Sequence, residues 1–113
     1  MQIFTGLDII HLERFRSLAN FERVAAFILS PREQELMRQS RDQKQFLASR
    51  FAAKEAIIKA LPEPTTLADL EILNIDSKPT AILKNPTLSQ YQISVSLTHS
   101  GDLAAATAVV ILS

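Results

Sequence analysis

The chain has 113 residues, 47% of them hydrophobic, twelve Lys/Arg balanced by twelve Asp/Glu, and no cysteine. That length suits one domain, residues 1–113, with a modest core, and the missing cysteine excludes disulfides, thiolate catalysis and a cysteine-based zinc site. Charge is uneven, ten Lys/Arg against seven Asp/Glu in residues 1–60 and two against five beyond, which argues against general nucleic-acid binding, where a strongly basic domain is expected.

The first predicted element is a strand, Gln2 to Ile10, whose alternation puts Ile3, Thr5, Leu7 and Ile9 on one face and Phe4, Gly6, Asp8 and Ile10 on the other. Gly6 leaves space beside Asp8, as where a ligand or another backbone comes close. Asp8 on that face either belongs to a site or caps a helix opening near Leu12. No basic region followed by an apolar stretch begins the chain, and the longest apolar tract, Leu103 to Leu112, contains Thr107 and is too short to span a bilayer. A cytoplasmic protein without a membrane segment is expected. His11, a lone histidine after the strand, is read as structural.

Next comes a helical region divided at Asn20, in which Arg14, Arg16 and Arg23 lie around Phe15, Leu18, Phe21 and Val24. Basic and apolar residues mixed in this way suit an acidic partner helix, steered by charge and anchored by apolar contact; a solvated arginine face is the alternative.

The longest predicted helix runs from Asp42, its cap, to Leu61, without internal Gly or Pro and with Pro62 and Pro64 as stop signals. At about 100° per residue, Phe46, Leu47, Phe51, Ala53, Ile57, Ile58, Ala60 and Leu61 fill one wide sector and Ala48, Ala52 and Ala56 most of the rest. Such a helix is central and buried. Its charges form two groups: Glu55 and Lys59 among the alanines, Arg50 and Lys54 interrupting the bulky sector. An (i, i+4) Glu55–Lys59 ion pair is the plain reading, worth about 0.2–0.5 kcal/mol on an exposed helix; an alanine-lined setting disfavours it, because buried charges need partners or a metal.

Leu67–Ile75, Thr80–Lys84, Tyr91–Thr98 and Leu103–Leu112 are strand candidates separated by Asp76-Ser77-Lys78-Pro79, Asn85-Pro86 and Ser100-Gly101-Asp102. The expected class is α+β: an N-terminal strand, short helices, the long central helix, then antiparallel strands packed on it.

Two segments resemble a known family. Gly6-Leu7-Asp8-Ile9 with Arg14, and Arg50-Phe51-Ala52-Ala53-Lys54-Glu55-Ala56 with Lys59-Ala60, are similar to the two signatures of holo-acyl-carrier-protein synthase, the small bacterial 4′-phosphopantetheinyl transferase of fatty-acid synthesis. Leu29-Ser30-Pro31-Arg32-Glu33, Leu70-Glu71-Ile72 with Lys78-Pro79, and Val95-Ser96-Leu97-Thr98-His99-Ser100 resemble its connecting segment, hairpin and late strand end. The resemblance implies that family's α+β fold, an antiparallel sheet on a long central helix. It implies transfer of phosphopantetheine from coenzyme A to a serine of apo-acyl carrier protein, with 3′,5′-ADP leaving. Mg²⁺ takes oxygen ligands and usually only one or two carboxylates, and Asp8 and Glu55 would supply them. Lys59, one turn from Glu55, would meet the diphosphate. The serine proton would pass to Glu55 directly or through a metal-bound water.

Arg50, Lys54 and His99 would hold the nucleotide end of coenzyme A, including its 3′-phosphate; for His99 an ordinary turn histidine is the alternative. Carrier docking would fall on Arg14, Leu18 and Arg23. Because Arg50 and Lys54 face away from Glu55, a site shared between subunits is expected, and the resemblance implies a homotrimer. Leu61-Pro62-Glu63-Pro64-Thr65 stands where the family commonly has a glycine-rich turn, and Glu63 there is expected to repel phosphate. The competing class is a non-catalytic homologue that binds coenzyme A or carrier protein.

Overall fold

A computed structural model describes residues 1–113. The N-terminal strand β1, Gln2–His11, pairs along its whole length with the last strand, β5, Leu103–Leu112, which in turn pairs with β4, Tyr91–Ser100. This antiparallel sheet has the order β1-β5-β4, and a separate hairpin is made by β2, Leu70–Ile75, and β3, Lys78–Leu83. Four helices lie between β1 and β2: α1, Glu13–Arg16; α2, Phe21–Ile28; α3, Pro31–Arg38; and α4, Gln43–Ala60.

The expected α+β order is observed, with α4 in the centre as its apolar circumference predicted. Asp42 caps it, accepting a hydrogen bond from Gln45 N at 3.0 Å. Its Ala48, Ala52 and Ala56 are fully buried, as are Ala104, Ala106 and Ala108 of β5. Small side chains on both sides bring helix and sheet close together. Gly6 takes this furthest: a Cβ there would run into the carbonyl oxygen of Ala56 and lie 3.1 Å from Ala60 N. The space beside Asp8 is thus filled by the α4 backbone.

The predicted strand from Leu67 starts later, because the Thr66 N–H donates to Asp69 Oδ2 at 2.9 Å and turns Leu67–Asp69 into one turn of 3₁₀ helix. The strand predicted from Thr80 starts earlier. Pro79 pairs opposite Asn74 in the two-stranded hairpin, where each strand keeps a free edge and a residue lacking an N–H is tolerated. Asp76 and Ser77 turn this hairpin with φ of 52° and 66°, the left-handed pair a two-residue turn requires. Asp8 is a strand residue and caps no helix; α1 opens at Leu12 without a side-chain cap.

Polar groups are buried where α3, β2 and α4 meet. Glu33 is fully buried; its Oε1 accepts from Ser30 N at 2.8 Å and from Lys54 Nζ at 2.6 Å, and its Oε2 from Ile72 N at 2.8 Å. Beside it, buried Glu71 accepts from Arg32 and from the Ser30 hydroxyl. Burial opposes the Glu71 charge, but Arg32 and Ser30 outweigh it and hold the carboxyl below its ordinary range.

The opposite face of the sheet is bare. Ile3, Leu7 and Ile9 of β1 are 58%, 55% and 56% exposed, and Leu103 and Val109 of β5 continue the stripe. No helix is long and apolar enough to cross a membrane.

Candidate active site

Asp8 projects from β1 towards the C-terminal half of α4, where Lys59 Nζ donates to its Oδ1 at 2.9 Å and to the Leu7 carbonyl at 3.1 Å. The Asp8 side chain is only 14% exposed, and its Oδ2 is buried without a hydrogen-bond partner. A carboxylate oxygen in that position is a vacant acceptor, where buried polar groups are ordinarily paired. Glu55, one turn before Lys59, makes no side-chain hydrogen bond or ion pair; it lines an open cleft of about 530 Å³ with Phe27, Ile58, Thr65 and Thr66. The plain Glu55–Lys59 pair is therefore absent, because Lys59 reaches across to the strand instead. The alanines surround neither group: they are covered by the sheet, and Lys59 at the rim is 53% exposed.

A divalent cation fits this donor set. The two carboxylates carry unclaimed oxygens, one of them buried, and Mg²⁺ needs no larger protein ligand set.

Arg50 lies in a second groove, of about 250 Å³, with Ser40, Asp42, Phe46, Leu97 and His99. Its guanidinium stacks on the Phe46 ring, 4.4 Å from the centroid, while Nε and one terminal nitrogen are buried without partners. Burial lowers the Arg50 pKa below its ordinary value, with Glu33 pulling weakly the other way. A stacked cation with two idle donors is prepared for a planar or tetrahedral anion. His99, exposed at the end of β4, shares the groove. Phe46 was assigned to the apolar sector of α4 by sequence, and its part under Arg50 was missed; the Phe46/Arg50 spacing of one turn was the available signal.

Lys54 corrects an expectation. Its side chain is 1% exposed and its ammonium is held by Glu33 and by the Ile28 carbonyl at 2.8 Å, so it braces α4 against α2 and α3. Glu63 accepts a hydrogen bond from Gln90 at 2.9 Å, and its carboxylate beside Tyr91 raises the pKa of that phenol. The Glu63 charge is thereby turned towards the start of β4.

Arg14 on α1 is exposed and lies 5.3 Å from the Phe51 centroid; Leu18 is half-buried against the core and Arg23 is exposed. Neither arginine forms an ion pair, whereas Arg16 is engaged by Asp102 at 2.6 Å.

A model of the 4′-phosphopantetheinyl transferase superfamily matches residues 5–108, a span containing both carboxylates, Lys59, Arg50 and His99. The chain belongs to this family. A holo-[acyl-carrier-protein] synthase of Dehalococcoides mccartyi is 39% identical over 95% of this chain and 97% of its own length. Among solved structures, the Bacillus anthracis holo-(acyl-carrier-protein) synthase in complex with coenzyme A (3′,5′-ADP) superposes with a TM-score of 0.82 at 29% identity, covering 97% of this chain and 96% of that one. The Helicobacter pylori holo-[acyl-carrier-protein] synthase in complex with coenzyme A gives 0.82 at 26%, covering 95% and 99%. The transferase fold thus spans nearly the whole chain, and the two segments that resemble the family's signatures are those that place Asp8 against α4.

Proposed function

We propose that this transferase-family chain moves 4′-phosphopantetheine from coenzyme A to a serine hydroxyl of apo-acyl carrier protein, and that Asp8, Glu55 and Lys59 carry the reaction. The serine oxygen forms a bond to the phosphorus bearing pantetheine, the bond to the bridging diphosphate oxygen breaks, and 3′,5′-ADP departs. The observation that carries this reading is the set of three unclaimed carboxylate oxygens, Asp8 Oδ2 and the two of Glu55, on either side of a strand–helix contact that the lysine bridges. Asp8 and Glu55 would hold Mg²⁺, which when bound supplies charge neutralisation for the diphosphate. Lys59 brings a positive charge to the same place and orients Asp8. Glu55, open to the cleft, is placed to accept the serine proton.

Arg50 and His99 form the site for the 3′-phosphate. Their groove is separate from the Glu55 cleft within one chain, which supports a site completed by a second subunit. The bare stripe of Ile3, Leu7, Ile9 and Val109 supports self-association, as a trimer with active sites between subunits. Arg14, Leu18 and Arg23 receive the acidic helix of the carrier. The cytoplasm, where carrier protein and coenzyme A meet, is the proposed location.

The test is to incubate the protein with coenzyme A, Mg²⁺ and apo-carrier and to read the intact carrier mass, with sedimentation giving the subunit number. A phosphopantetheine increment that chelator abolishes is expected; coenzyme A or carrier binding without any increment would favour a non-catalytic homologue. In the same assay Arg50→Ala should raise the KM for coenzyme A at least about tenfold and leave that for dephospho-coenzyme A, which lacks the 3′-phosphate, nearly unchanged. Equal losses on both substrates would remove Arg50 from the 3′-phosphate.

A further inference from the structure

Apart from Met1, no large apolar side chain is as exposed as Phe27, at 78%. It occupies the last turn of α2, four residues after Arg23, so the two share the outer face of that helix. Phe27 also stands at the edge of the Glu55 cleft and of an adjoining groove of about 230 Å³ lined by Ile28, Leu29, Pro31 and Leu70; Leu67 and Ala68 border both. A ring so exposed gains little from folding, since its area stays in water. The surface around it is also distinct from the bare face of the sheet, because α2 packs mainly on α3 and α4.

We propose that Phe27 is the hydrophobic anchor on which the carrier protein docks, its occupant being an acidic helix with an apolar residue close to the reactive serine. This rests on the transferase reading for the identity of the partner. Three observations converge on it. Two basic side chains of α1 and α2, Arg14 and Arg23, have no acidic partner within the chain, while Arg16 and Arg32 are engaged by Asp102 and Glu71. Phe27 lies on the same helix as Arg23 and at the rim of the cleft that contains Glu55. A helix steered by the arginines must therefore bring its serine to Glu55 past this ring. An aromatic side chain with an arginine beside it on the same helix face is a composition enriched in energetic hot spots, and the positive charge suits an acidic surface.

The test compares Phe27→Ala and Phe27→Leu with the unaltered protein. Fluorescently labelled apo-acyl carrier protein is titrated by anisotropy without coenzyme A, coenzyme A binding is measured by calorimetry, and sedimentation gives the subunit number. Phe27→Ala should weaken carrier binding at least about tenfold and Phe27→Leu no more than about threefold, with coenzyme A affinity and subunit number unchanged. Unaltered carrier affinity in Phe27→Ala overturns the proposal. So does a loss of coenzyme A affinity, which would make the ring a wall for the pantetheine arm, or a change of subunit number, which would make it a contact between copies. If the unaltered protein transfers phosphopantetheine but Phe27→Ala binds carrier normally, only the docking proposal fails. Phe27-dependent binding without transfer would instead sink only the transferase reading.

Discussion

Glu55→Gln should lower metal-dependent phosphopantetheine transfer by at least about a hundredfold while the protein stays folded. Glutamine matches the size of glutamate, and Glu55 has no hydrogen bond or ion pair to lose, so the stability change should stay within about 0.5 kcal/mol. What disappears is the negative charge facing the cleft. That removes one of the two carboxylates proposed for the cation and the proposed acceptor of the serine proton, and loss of a positioned general base alone is worth about 10²–10⁴ in rate. Asp8→Asn is the informative companion, because it disturbs the other carboxylate proposed for the cation and also loosens Lys59, whose ammonium donates to Asp8. Both variants should need more Mg²⁺ for half-maximal rate, and Asp8→Asn should in addition bind coenzyme A less well. Initial rates of carrier mass gain across an Mg²⁺ titration, with a urea melt as control, decide the matter. Undiminished turnover by Glu55→Gln would end the proposed role.

The second large effect is on stability. Lys54→Met should cost about 3–5 kcal/mol, the range for stripping one partner from a buried ion pair, a large part of the total of a domain this size. The methionine can fill much of the space, but it leaves Glu33 charged and fully buried with only the Ser30 and Ile72 N–H groups as donors. Replacing both, Lys54→Met with Glu33→Leu, should not restore stability, because those two backbone donors then lose their acceptor, and each unmet buried group costs about 1–3 kcal/mol. Urea denaturation of the two variants measures this, and a loss below about 1 kcal/mol in Lys54→Met would show that the pair is dispensable. The folded fraction should bind coenzyme A with nearly unchanged affinity, which separates the brace from the ligand role expected from sequence.

The order of elements was legible in the residues because each rests on local chemistry. Alternation over Gln2–Ile10 and Leu103–Leu112, the Asp42 cap and the Pro62 stop all act within a few residues of themselves. The errors arose where a distant or competing contact prevailed. Leu67–Asp69 left the strand for a 3₁₀ turn because Asp69 bonds Thr66, and Pro79 entered a strand because the hairpin has only two members.

The residues of the candidate site were also legible as residue types at fixed spacing: Asp8 after Gly6 on an inward strand face, and Arg50, Lys54, Glu55 and Lys59 on one helix. Their partition into roles was not. Helical periodicity says that Lys54 and Glu55 point in different directions, but not that α3 supplies a carboxylate to one and open solvent meets the other. In the same way, Lys59 is one turn from Glu55 on the helix surface, yet β1 brings Asp8 and the Leu7 carbonyl to its ammonium. Gly6 shows why: without a side chain, the strand can approach the α4 backbone closely enough for a lysine to bridge the two. Chemical identity and periodicity act along the chain, whereas burial and partner choice depend on which surfaces are packed together, and that packing turned one lysine into a brace and left one carboxylate free.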